Sequence, residues 1–146
     1  PLLADGTELG NDSLHHAEFA ELSYAEIAAE VERPRLLAGA AGRPWLQQAL
    51  FRPPKGVLNL KVLFHCIRTR HRIVLWNSDP KDYCASSMDA VLAHFDRRPV
   101  RPGDIVLLHD KTEATLAALP SLLGRMAADG VQAVTLRELL AAGGRV

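Results

Sequence analysis

The side chains of this sequence best suited to acid–base chemistry stand at His109-Asp110, directly after the apolar run Ile105-Val106-Leu107-Leu108. An imidazole titrates close to neutral pH and can hand a proton to a departing group, so its placement carries unusual weight. The four β-branched and leucine residues before it read as a strand buried on both faces. Parallel α/β folds bind ligands at the rim formed by the carboxyl ends of such strands. Three further polar clusters, at residues 12–16, 52–56 and 79–82, follow strand candidates in the same way. In a parallel fold all four would converge on one rim, which random placement of polar residues rarely achieves.

The elements that must position these clusters alternate in type. Thr7-Glu8-Leu9 is a short strand candidate. Ser23 and Glu26 form a capping box that opens a helix through Ile27, Ala28 and Val31, kinked or ended near Pro34. Gly39, Gly42 and Pro44 make a loop, and Ala49-Leu50-Phe51 is a brief strand. Asn59 caps a helix carrying Leu60, Leu63, Phe64 and Ile67, and Ile73-Val74-Leu75-Trp76 is another buried strand. Ser86 and Asp89 start a helix through Met88, Val91, Leu92 and Phe95. Leu119, Leu122, Leu123 and Met126 mark a helix stopped by Gly130, residues 131–134 a last strand, and Thr135 with Glu138 the cap of a closing helix. Strand and helix alternate without hairpin signals, the rhythm of a parallel sheet or barrel of βα units.

Composition bounds the functions available. A chain of 146 residues suits one domain with a real core. Lys plus Arg and Asp plus Glu each number 17, so no net field draws nucleic acid or an anionic membrane. No apolar run approaches the ~20 residues that span a bilayer. Cys66, in an apolar helical pattern, reads as a core thiol, and with Cys84 it fits neither a metal-ligand spacing nor a disulfide framework. A nucleotide-binding domain needs a glycine-rich turn between strand and helix; Gly39 and Gly42 follow a helix instead.

Taken in order, Glu8-Leu9-Gly10-Asn11-Asp12-Ser13-Leu14-His15-His16, Phe51-Arg52-Pro53-Pro54-Lys55-Gly56, Trp76-Asn77-Ser78-Asp79-Pro80-Lys81-Asp82-Tyr83 and Gly103-Asp104-Ile105-Val106-Leu107-Leu108-His109-Asp110 form a series. This series resembles the polysaccharide deacetylases of carbohydrate esterase family 4, which share the NodB homology domain. Each motif alone is weak; four in sequence are specific and cover nearly the whole chain. The resemblance implies an α/β fold, a distorted (β/α) barrel of the NodB-like type, incomplete at its amino terminus, with residues 1–146 as its carboxyl-terminal portion. It implies metal-dependent hydrolysis of acetyl groups, N-acetyl first, on a polysaccharide or oligosaccharide. The implied cofactor is one divalent metal, zinc ahead of cobalt or nickel. The implied partner is an acetylated glycan, and the setting is the cell envelope, the periplasm or outside the cell.

The same resemblance assigns residues. Asp12 and His16 fall on the family's H-[ST]-x-x-H metal motif, with Asp12 where the first histidine is expected; a carboxylate can ligate zinc. His15 does not match the spacing. Arg52 falls on the arginine that holds the catalytic carboxylate. Pro54 and Lys55 lie on the loop R-x-P-aromatic-G, where Lys55 keeps the backbone amide that binds the oxyanion but loses the aromatic wall. Two adjacent prolines restrain that loop, as a preorganised donor requires. Asp82 matches the carboxylate that pairs with the arginine and with the catalytic histidine, and Tyr83 replaces a tryptophan lining the site. His109 matches the general acid that protonates the leaving amine, with Leu107 and Leu108 walling the acetate pocket. In the family the metal polarises the acetyl carbonyl and lowers the pKa of a bound water.

The family draws its base and a third metal ligand from a first motif, T-F-D-D, and this sequence holds none; Asp5 is the one candidate upstream of Asp12. Leu2, Leu3 and Ala4 followed by Asp5-Gly6 look instead like the last turn of a helix and its glycine stop. The expectation is a fragment of a complete deacetylase. The alternative is a catalytically inactive relative that binds glycans.

Overall fold

The computed structural model of the protein describes residues 7–40 and 50–143. Its elements run α1 (Tyr24–Ala40), β1 (Leu50–Phe51), α2 (Leu60–Thr69), β2 (Arg72–Ile73), α3 (Met88–Arg97), α4 (Glu113–Ala128) and α5 (Leu136–Ala141), with 3-10 turns at Pro54–Gly56 and Asp82–Cys84. They gather into two compact units that divide between Leu75 and Trp76. Residues 2–6, with Asp5, and the expected loop beyond Ala40 lie outside the described residues.

In the first unit β1 pairs in parallel with β2, Leu50 opposite Arg72 and Phe51 opposite Ile73, and Asn11 adds a parallel bridge to Phe51. The capping box of α1 has both arms: the Ser23 amide donates to Glu26 Oε2 at 2.8 Å, and the Glu26 amide to Ser23 Oγ at 3.3 Å. Contrary to expectation the helix passes through Pro34 and runs on to Ala40. A proline inside a helix leaves the carbonyl four residues earlier without its donor. Here that carbonyl belongs to Glu30, and the Leu14 amide donates to it at 3.1 Å. The vacancy left by Pro34 thus anchors the loop that carries Asp12 and His16.

Phe19, Ile27, Val31, Phe51, Val62 and Cys66 form the core of this unit, with the Phe19 and Phe51 rings stacked at 6.1 Å. Burying each large apolar side chain is worth about 1.5–3 kcal/mol. The Asn59 side chain caps α2 by accepting from the Val62 amide at 2.9 Å. The helix turns Val62, His65 and Cys66 inward, whereas Leu60, Leu63, Phe64 and Ile67, the apolar residues read for it, are exposed. The expected strand at 73–76 shrinks to Arg72–Ile73, and residues 7–9 form no strand.

In the second unit one parallel bridge joins Ser78 to Val106. The Asn77 and Ser78 amides donate to the Ile105 carbonyl, and the Leu107 amide to that of Ser78. The run 105–108 is therefore tied at one bridge rather than set in a ladder. Leu107 is buried but its three neighbours are half-buried, which corrects the strand buried on both faces. Residues 131–134 likewise form no strand. The α3 cap is Ser87 rather than Ser86, its hydroxyl accepting from the Ala90 amide. Val91, Leu92, Phe95 and Val100 pack with Ala118 and Leu122 of α4 into the second core. Thr112 caps α4, and the Thr135–Glu138 capping box opens α5.

Candidate active site

The loop bearing Asp12 is built from Asn11 outward. Asn11 is buried; its side-chain amide donates to the Val31 carbonyl at 2.7 Å, and its Oδ1 accepts from the Ser13 amide at 3.0 Å. Asp12 then meets Arg52, with Nη2 to Oδ2 at 3.2 Å and Nε to Oδ1 at 3.5 Å. The resemblance pairs this arginine with Asp82; the guanidinium here engages Asp12. Both side chains are about two-fifths exposed, so the pair contributes ~0–1 kcal/mol and serves mainly to orient. His16 is exposed, and its amide donates to Ser13 Oγ at 2.9 Å. His15, set aside by its spacing, is held by Glu30 at 2.6 Å. Pro54 is buried, while the Lys55 ammonium turns outward to the Glu18 carboxylate.

The second unit assembles a tighter constellation around Asp82, whose side chain is fully buried at the start of its 3-10 turn. Its Oδ2 accepts from the His109 amide at 2.6 Å and from the Thr115 hydroxyl at 2.7 Å, and its Oδ1 lies 2.8 Å from His109 Nδ1. Burial alone would raise this carboxyl. The hydrogen bonds from the His109 ring, the Thr115 hydroxyl and the His109 amide outweigh that and hold it below the usual carboxylate range. An ionised carboxylate only accepts, so His109 Nδ1 carries the proton and Nε2 is the atom available for transfer. Thr115 donates to Asp82 and therefore accepts from Thr112, whose hydroxyl lies 2.5 Å away. A continuous line of donors thus runs from the cap of α4 to the carboxylate.

The imidazole is 38% exposed, and the Tyr83 ring stands edge-on to it at 5.3 Å. Leu107 is buried, and Leu108 packs against the α3–α4 core. Preceding Asp82, Asp79 receives the Lys81 ammonium at 2.6 Å and its amide at 2.9 Å. Burial pushes the Asp79 carboxyl up, but these Lys81 bonds bring it net below its ordinary range.

Backbone strain collects in the same places. Among the described residues five non-glycine positions have left-handed φ: Ser13, His16, Lys55, Arg70 and Lys81. Arg70 ends α2, where that conformation is routine. The other four fall within polar clusters read from the sequence, Ser13, His16 and Lys55 in the first unit and Lys81 in the second. Each costs on the order of 1–3 kcal/mol and persists only where surrounding contacts impose it.

Asn11, Pro34, Thr112 and Thr115 are positioning residues that sequence reasoning missed. In the sequence Pro34 reads only as the kink or end of a helix and Asn11 only as a member of the stretch that opens the motif series, while nothing local marks Thr112 or Thr115 as a partner of Asp82. The metal assignment is incomplete. Among the described residues Asp12 and His16 join no third ligand atom to make a cation-holding group, and both Asp12 oxygens face the Arg52 guanidinium. The two residues do not by themselves fit a divalent ion.

No protein-family model matches the chain. A peptidoglycan-N-acetylglucosamine deacetylase of Bacillus cereus is 32% identical over 145 residues, a match covering 95% of this chain and 66% of that protein. The chain thus spans just under two-thirds of that relative's length. The structure of a family 4 carbohydrate esterase from Streptomyces lividans, in complex with acetate, superimposes with a TM-score of 0.79 at 28% identity, covering 92% of this chain and 68% of that one. A CE4 family pseudoenzyme from Bacillus anthracis matches with a TM-score of 0.82 at 26% identity, covering 95% of this chain and 48% of that one. A mutant of that pseudoenzyme has restored enzymatic activity.

Proposed function

Because the chain belongs to the polysaccharide deacetylases, carbohydrate esterase family 4, and has their NodB-type fold in part, we propose that it supplies the acid side of an amide-hydrolysing site. The substrate proposed is a glycan bearing N-acetyl groups, with peptidoglycan-type N-acetylglucosamine first by similarity to the Bacillus cereus relative. With that substrate goes a proposed setting at the cell envelope, in the periplasm or outside the cell.

One observation carries this reading: a partly exposed imidazole whose Nδ1 is committed to a buried, ionised carboxylate. In the reaction the oxygen of water bonds to the acetyl carbon and the carbon–nitrogen bond breaks. The departing sugar nitrogen takes its proton from Nε2 of the His109 imidazolium, one proton of the attacking water restores that imidazolium, and the other leaves with the acetic acid, which ionises to acetate. Asp82 fixes the tautomer, the Thr112–Thr115 line fixes Asp82, and Tyr83 walls one side of the ring. In the family a bound divalent metal, zinc, cobalt or nickel, supplies Lewis-acid polarisation of the acetyl carbonyl. Asp12 and His16 are what this chain would offer it, short of a complete set, so no step is routed through the metal.

The test is acetate release from N-acetylglucosamine oligomers by the intact protein isolated from its source. A general acid contributes about 10²–10⁴-fold, so His109→Ala should lower kcat by that factor. Release unaffected by the substitution would overturn the assignment. A second reading, a glycan-binding relative without catalysis, is favoured by Asp12 standing in the place of a histidine and facing Arg52. Oligomer binding by the intact protein with no acetate release would establish it.

A further inference from the structure

We propose that Glu32 of α1, His65 of α2 and His71, which leads into β2, hold a divalent cation of the zinc type through one carboxylate oxygen and two imidazole nitrogens. Among the described residues these are the side chains whose ligand atoms come together, all within 4.8 Å of one another. None of the family motifs includes them, and the acid site makes no use of them.

The separations suit an ion. His65 Nε2 lies 3.2 Å from Glu32 Oε1, and His71 Nδ1 lies 3.8 Å from the same oxygen. Tetrahedral zinc with bonds of about 2.0–2.1 Å spaces its ligands about 3.3 Å apart, so the His65–Glu32 separation already matches and His71 must draw in toward the other two, from which it lies no more than 4.8 Å away. The imidazoles are only 4% and 3% exposed, whereas Glu32 is 26% exposed. Two buried nitrogen donors and a carboxylate on the solvent side make three ligands, and a water would supply the fourth. This donor set suits zinc, cobalt or nickel over magnesium or calcium.

Outer contacts hold the ligands in place, as metal sites require. Arg35 Nε lies 3.4 Å from Glu32 Oε2, leaving Oε1 toward the histidines. Tyr24 Oη lies 3.5 Å from His65 Nδ1, the ring nitrogen that the cation would not use. The Thr69 hydroxyl donates to the His65 carbonyl and so accepts from His71 Nδ1, at 2.7 Å in both contacts. Ligation would move that proton to Nε2 and give up the Thr69 contact, freeing the Nδ1 lone pair for the ion. Because the three ligands come from three elements of the first unit, an ion would pin α1, α2 and the entry to β2 together.

The experiment uses the 146-residue chain carrying Asp12→Ala and His16→Ala, so that those residues cannot bind the added ion. Titration with cobalt(II) is followed by visible absorption and with zinc by calorimetry. The expected result is saturation at one equivalent, with the intense visible absorption of four-coordinate rather than six-coordinate cobalt. Adding Glu32→Gln or His71→Gln should weaken zinc at least ~100-fold, since even losing an outer contact costs 10–100-fold. Binding that these substitutions leave unchanged would place the ion on surface histidines and overturn the proposal. So would the absence of one-equivalent binding, which would make the cluster a buried ion-pair network. Glu32 is half-buried and its amide variant keeps the shape, so the comparison does not depend on truncating a core histidine.

Discussion

Asp82 shows how one buried carboxylate can be both a structural and a chemical element. It accepts three hydrogen bonds on two oxygens, two of them on Oδ2. An asparagine there must point its NH2 either at the two Oδ2 donors or at the His109 ring, reversing the tautomer. Asp82→Asn should therefore lower kcat for acetate release about 100-fold or more, toward the loss expected for His109→Ala. Thr115→Val keeps the volume and removes one bond to a charged group, a loss of about 1.5–3 kcal/mol measurable by urea unfolding. The acid limb follows from the depressed carboxyl. Above the unfolded-state value of about 3.9 its contribution is complete; as pH falls from there through the lower folded value, the unfolded chain binds the proton first and stability drops. The urea midpoint should fall below about pH 4, and fall less steeply in Asp82→Asn. His109 was legible because a titratable residue ending an apolar run stands out, and Asp82 through the motif of the family the sequence resembles; the structure brings the two side chains together. Thr115 was not, since it reads as an ordinary first-turn residue and its partner lies 33 positions away.

At the scale of elements the helices were legible and the strands were not. Asn59, Thr135 and the Ser23–Glu26 pair cap their helices as their local pattern requires, because capping is decided within four residues. A strand exists only where another pairs with it, and the two-residue ladder and isolated bridges among the described residues leave little for an apolar run to announce. The same distinction explains α2, whose periodicity was clear but whose inward face carries His65 and Cys66 rather than its largest apolar residues. Pro34 offers the sharpest test at this scale. Pro34→Ala should stabilise α1, by up to about 3 kcal/mol on intrinsic preference, because residue 34 gains an N–H for the Glu30 carbonyl. That carbonyl would then be shared, so the Leu14 amide should exchange its hydrogen faster in the variant. Unchanged exchange at Leu14 would mean that Asn11 and Glu30 suffice to hold the loop.

Taken as a whole, the chain carries equal numbers of acidic and basic side chains and presents Leu60, Phe64 and Ile67 to solvent. Without net repulsion, colloidal association is strongest near the point of zero charge. Light scattering of the isolated chain across pH 5–9 should therefore peak near neutrality and decline on either side. Among the described residues no helix is long and apolar enough to cross a membrane, so this exposed stripe is a surface feature rather than a span. The two thiols differ more than their count suggests. Cys66 is buried, and burial with the nearby Glu32 charge pushes its thiol up to about 11, whereas Cys84 is exposed on the same turn as Asp82 and Tyr83. A maleimide dye near neutral pH should consequently attach once, at Cys84, as mass spectrometry would verify. A fluorophore there sits two residues from the carboxylate that holds His109. It would convert the arrival of an oligosaccharide into an optical signal that needs no turnover.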